Sequence, residues 1–161
     1  LYRGKPTVEA EEAHHLMSGL DFGQAASQDV RGAVQHLKQS HAKVGVTGFC
    51  MGGALTVLTL TMAPEADAGV VWYGLPPLEF VDASKIKAPM IAHWAEQDAA
   101  FPIATVDPLE AKLKGAGMQF NKVDGKPFRE ALQKSGYYAD WQKKFGPEAW
   151  ALLEKYSGKL A

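Results

Sequence analysis

One twelve-residue stretch constrains this chain more than any other: Val44-Gly45-Val46-Thr47-Gly48-Phe49-Cys50-Met51-Gly52-Gly53-Ala54-Leu55. A short β-branched run leads into Gly-x-Cys-x-Gly and then into small helix formers. The segment therefore reads as a strand that turns sharply into a helix with Cys50 at the corner. A residue at such a corner sits in a strained backbone conformation, and its flanks close only if the residues two before and two after carry no colliding side chain. Gly48 and Gly52 stand at those places. Cys50 is the only cysteine among 161 residues, which excludes an internal disulfide and leaves a free thiol suited to a reducing cytoplasm.

The corner carries chemistry. In the first turn of the following helix, free N–H groups and the positive end of the helix dipole favour an anion, so a thiolate at Cys50 is stabilised. The N–H of Met51, the next residue, would face a substrate carbonyl oxygen as it becomes tetrahedral, giving half of an oxyanion hole. The competing reading is packing alone, since a lone cysteine between a buried strand and a buried helix serves as a small apolar residue. The paired glycines favour a nucleophile elbow.

Two further stretches join the elbow: Val70-Val71-Trp72-Tyr73-Gly74, and Pro89-Met90-Ile91-Ala92-His93-Trp94-Ala95-Glu96-Gln97-Asp98. In order, spacing and residue type the three resemble the dienelactone hydrolase family of α/β-hydrolases, over about residues 1–120. The resemblance implies an α/β chain with a partial α/β-hydrolase fold, a mostly parallel sheet flanked by helices and lacking amino-terminal strands. It also implies Cys-His-Asp hydrolysis of a lactone or ester on a small carboxylate-bearing substrate, without metal or cofactor. An arginine near the family's site helps hold the substrate carboxylate, and Arg3 corresponds to it; on its own terms Arg3 reads as a solvated side chain near a chain end.

Asp98 follows a later strand than the nucleophile, where a triad places the carboxylate that orients its imidazole. An Asp in a turn is otherwise a turn former, and the family's His-x-x-x-Gln-Asp pattern favours the catalytic role. His93 is too near in sequence to be the base and reads as structural. Tyr73 ends an apolar run at a strand's carboxyl end, where open α/β sheets bind ligands, so it could reach a substrate. A core tyrosine with a satisfied hydroxyl is an equal reading.

Periodicity supplies the other elements. Val8–Met17 reads as helix, and Ala25–Gln39 as an amphipathic helix with Ala26, Val30, Ala33, Val34 and Leu37 on one stripe. Lys43–Thr47 is the strand before the elbow and Gly52–Met62 a buried helix after it. Ala68–Tyr73 and Pro89–Trp94 are apolar strands of a parallel sheet covered on both faces, with Trp72 in the core. Ala104–Gly115 is a helix and Met118–Phe120 the start of a short strand. His14, His15, His36 and His41 read as surface residues without metal-ligand spacing.

A formal charge of −1 gives no reason to expect nucleic acid or an anionic membrane as partner, and no apolar run approaches the ~20 residues that span a bilayer. Unpaired strands at the sheet's edge could be capped by a second copy, making a homodimer.

The resemblance stops near Phe120. A family member would present its catalytic histidine beyond that point, yet no histidine follows His93. Residues 121–161 instead read as helices at Pro127–Ser135, Tyr137–Phe145 and Pro147–Tyr156, with Ala149, Leu152, Leu153 and Tyr156 on one apolar stripe. This stretch resembles the C-terminal helices of a tripartite-transporter periplasmic solute-binding protein. The expected organisation is a truncated hydrolase domain at 1–120 and a helical tail at 121–161. The functional alternatives are a cysteine hydrolase deprived of its base and a non-catalytic chain that serves, if at all, as a binding or interaction module.

Overall fold

Three short apolar runs pair to form the sheet: β1 (Gly45–Phe49), β2 (Ala68–Trp72) and β3 (Met90–His93). The computed structural model describes every residue except 1, 3, 5, 122, 123 and 161. All pairings are parallel, in the order β1-β2-β3. The chain divides into two units, Leu1–Gln119 and Phe120–Ala161.

In the first unit, parallel pairing forces a crossover between consecutive strands, and α4 (Met51–Met62) supplies the one between β1 and β2. Its residues from Gly53 to Thr61 are buried, as its all-round apolar sequence predicts. Thr56, Thr59 and Thr61 are tolerated there because each hydroxyl donates to the carbonyl four residues back. A Cβ on Gly69 of β2 would lie 2.6 Å from Leu60 Cδ1, so glycine lets the helix lie close on the strand. Leu55, Val57, Leu58 and Leu60 form one core with Val71 and with Leu109 and Leu113 of α5 (Ile103–Gly115). Truncating Leu58 to alanine there would cost about 2–5 kcal/mol.

Among the described residues of the first unit the sheet is covered on one face only, which corrects the expectation of two. Val46, Val71, Met90 and Ala92 point into the core. On the opposite face Phe49 is 60% and Ile91 59% exposed, with Thr47 and His93 also exposed. Trp72 lies on that face as well and is half-buried rather than in the core. It is sandwiched between the rings of its two register partners, with centroids 5.5 Å to Phe49 and 4.4 Å to His93.

The first unit begins with α1 (Ala10–Ser18), which buries none of its residues. The predicted helix over 25–39 forms as α2 (Phe22–Gln24), a π-helical segment Ala25–Val30, and α3 (Arg31–Lys38). Asp21 caps it by accepting from Gln24 N–H at 2.9 Å. The wide turn shifts the phase of the helix, so Ala26 and Val34 are buried while Ala33 and Leu37 face solvent. Arg31 and Gln35 instead meet Glu65, each at 2.7 Å. At the amino end of β1 the Asp67 carboxylate binds Lys38 at 2.6 Å, Val44 N–H at 2.7 Å and Lys43 at 3.0 Å.

Met118–Phe120 does not form the expected strand. Gly117 takes φ +90°, its N–H donates to Lys114 O and Met118 N–H to Leu113 O, a C-terminal cap that holds Met118 on α5.

The second unit contains α6 (Lys126–Lys134), α7 (Tyr137–Phe145) and α8 (Pro147–Ser157). The stripe Ala149, Leu152, Leu153 and Tyr156 is solvent-exposed, and Trp150 is the residue of α8 that is buried. Among the described residues, no helix is long and apolar enough to cross a membrane.

Candidate active site

Cys50 occupies the corner that the glycine pattern demands. Its φ of +54° and ψ of −119° match the first central position of a type II′ turn, a conformation that favours glycine. The residue is the N-cap of α4 and is exposed. Cys50 N–H donates to Trp72 O at 3.0 Å, while Cys50 O accepts from Gly53 and Ala54 N–H at 2.9 and 3.2 Å. The main chain is thereby held on both sides of the side chain. Among the described residues no hydrogen bond takes up the Met51 N–H, which stands at the open start of the helix.

Glycines enforce the corner, but not both of the expected ones. A Cβ on Gly48 would lie 2.0 Å from Gly52 O, whereas a Cβ on Gly52 would meet nothing within 4 Å. The second steric demand falls on Gly53, 2.7 Å from Trp72 O, and on Gly74, 1.9 Å from Cys50 O. Gly74 is brought there by the next strand, so a local reading of the elbow passes over it; its only signal is a glycine at the end of an apolar run.

Tyr73, the residue before it, is the other non-glycine with positive φ among the described residues, at +43°. It leaves β2 as Cys50 leaves β1, donating its N–H to His93 O at 2.9 Å. The residue is 41% exposed. Two adjacent strands thus end in strained residues side by side, and such outliers cluster at functional sites. Tyr2, which the sequence reading did not single out, donates its hydroxyl to Met51 Sδ at 3.3 Å. Arg3, the expected carboxylate ligand, lies outside the described residues.

Asp98 follows β3 on the same carboxyl edge of the sheet and is half-buried. Its Oδ1 accepts from Ala100 N–H at 2.8 Å and Phe101 N–H at 3.0 Å. It is thus a turn former, and Oδ2 has no hydrogen-bond partner among the described residues. His93 stacks on Trp72. His36 and His41 lie on and just after α3, before β1 begins, so the length of the strand separates them from Cys50; four strand steps amount to roughly 13 Å. Among the described residues, no three His, Cys, Asp or Glu side chains converge to hold a metal ion.

Known proteins resemble part of this chain. A carboxymethylenebutenolidase homolog of Rattus norvegicus is 38% identical over 90 residues, 55% of this chain and 36% of the rat protein. Protein usf of Aquifex pyrophilus is 36% identical over 104 residues, covering 60% and 45% of the two chains. A protein of Methylorubrum extorquens, provisionally named a carboxymethylenebutenolidase, is 37% identical over 111 residues, covering 63% and 36%. The chain therefore spans between about a third and a half of the length of these relatives. The sequence profile of the dienelactone hydrolase family matches residues 1–123, which lends nothing to a transporter-like reading of the tail. With three quarters of its length inside that match, and an elbow at its centre, the chain belongs to the dienelactone hydrolase family.

Proposed function

We propose that the chain carries the nucleophile part of a carboxylic ester hydrolase, with Cys50 attacking a lactone or ester of a small carboxylate-bearing substrate. The observation that carries the reading is the exposed Cys50 at φ +54° on the N-cap of α4. The names of two relatives support the hydrolase class alone. Attack forms an Sγ–C bond as the carbonyl oxygen gains negative charge, and the Met51 N–H at the helix start stabilises that charge. Collapse re-forms the carbonyl and breaks the single bond from the acyl carbon to the alkoxy oxygen; the alkoxide takes a proton to become an alcohol, released from an ester and kept on the acyl chain from a lactone, and the remaining thioester is hydrolysed by water. In a complete triad Asp98 Oδ2 would orient an imidazole that moves those protons; these 161 residues hold none after Asp98, so the protons come from solvent. Arg3 and Tyr73 bind the substrate carboxylate.

The chain has no histidine after Asp98, and losing one triad member costs about four to six powers of ten in turnover. Acylation without turnover is therefore the expected behaviour of these 161 residues. Iodoacetamide labels Cys50 faster than free cysteine near pH 7, and p-nitrophenyl acetate gives a burst of at most one equivalent that disappears in Cys50→Ala. Labelling no faster than free cysteine, with no burst, supports the second reading: a non-catalytic chain that acts as a binding or interaction module. The missing histidine and the exposed apolar stripes of α6–α8 favour that alternative. The likeness of the tail to a solute-binding protein rests on sequence alone.

A further inference from the structure

The formal charge of −1 conceals a segregation. Residues 120–161 hold eight Lys and Arg against five Asp and Glu, a net of +3, so the first unit carries −4. Lys126, Arg129, Lys134, Lys143, Lys144, Lys155 and Lys159 are all exposed.

The same unit buries very little. Among its described residues only Trp150 and Leu160 are buried, whereas Phe128 is 64%, Phe145 60%, Leu152 60% and Tyr156 79% exposed. These side chains are ordered along the helices. Tyr137, Trp141 and Phe145 recur every four residues on one side of α7, with ring centroids 6.2 and 5.2 Å apart. Lys144 Nζ lies 4.4 Å above the Trp141 ring, and Lys155 Nζ 5.4 Å above Tyr156. On α6, Phe128 and Leu132 share one side with Arg129 at its edge, and Lys126 and Lys134 stand on the other side with Glu130 between them.

Aromatic and leucine side chains flanked by lysines are the composition of helices that lie in a bilayer interface, with apolar groups among the acyl chains and ammonium groups at anionic headgroups. Nucleic acid would use the cations and rings but has no place for Leu132, Leu152 and Leu153. We propose that the helical unit, residues 120–161, docks on an anionic lipid surface. This is independent of the hydrolase reading and revises the expectation from net charge alone.

The test is co-sedimentation of the full chain with phosphatidylcholine vesicles, with and without about 30% phosphatidylserine. Binding is expected only to the anionic vesicles, and it weakens as salt shortens the screening length. Lys143→Gln with Lys144→Gln weakens binding about 25-fold, near fivefold per charge. Trp fluorescence shifts to the blue on binding, and the shift shrinks in Trp141→Phe. Absent binding, equal binding to neutral vesicles, or tighter binding to an acidic peptide or an oligonucleotide overturns the proposal. Should the double variant misfold by circular dichroism, lipid and salt dependence of the unaltered chain decide the matter.

Discussion

Cys50 N–H donates to Trp72 O at 3.0 Å, so the β1–β2 ladder continues one residue beyond β1 and determines where the chain turns away from the sheet. Gly74 sits against the carbonyl of the same Cys50, with space for hydrogen alone. Gly74→Ala should therefore cost about 3 kcal/mol, because the added Cβ meets backbone that cannot yield as a side chain would. Gly52→Ala meets nothing within 4 Å and should be neutral or gain up to about 1 kcal/mol from helix propensity. Urea midpoints of the two variants check this, and equal losses would undo the steric account.

The strain at φ +54° falls on any residue with a Cβ, so removing the Cβ should relieve it. Cys50→Gly is expected to be more stable than Cys50→Ala by about 1 kcal/mol, after allowance for the greater freedom of glycine in the unfolded chain. Thermal or urea unfolding of the pair measures the difference directly. An alanine variant as stable as the glycine one would mean that the corner stores no strain.

The elbow was legible because its cause is local: a strand, a corner residue and a helix within twelve positions, with Gly48 where the returning backbone passes. What the sequence hid was non-local. Gly74 acts on Cys50 from another strand, and the π-helical turn at Ala25–Val30 moves Ala33 and Leu37 off the stripe that α-helical spacing assigns them. An apolar strand does not disclose whether both of its faces are covered, so Trp72 read as core although its face is open. Asp98 was legible as either a turn former or a triad carboxylate, and one oxygen makes the turn while the other remains open to the second role.

His93 stacks on Trp72 at 4.4 Å without any bond to Cys50. Its ring should therefore matter for stability and not for thiol chemistry. His93→Ala should lose about 1 kcal/mol and His93→Phe much less, since a phenyl ring preserves the stack. The pH profile of iodoacetamide labelling at Cys50 should be the same in both variants as in the parent. A profile moved by His93→Ala would make this imidazole the missing base.

Asp67 ties the end of α3 to the start of β1, and its charge makes that tie sensitive to acid. The bond from Lys38 is the strongest influence, followed by Val44 N–H and Lys43, and together they hold the carboxyl well below the usual carboxylate range. Because the folded value is depressed, the contribution is complete above the unfolded carboxyl pKa of about 3.9 and is lost as pH falls below it toward the folded value. Glu65, lowered chiefly by its bond from Arg31, adds to the same trend. Asp67→Asn removes one of these two linked groups and keeps an oxygen for Val44 N–H. Its urea midpoint should be lower than the parent's at pH 7, and the gap should narrow between about pH 4 and pH 2. A gap that stays constant over that range would show that the Asp67 carboxylate is not charged against Lys38 and Lys43 in the folded chain.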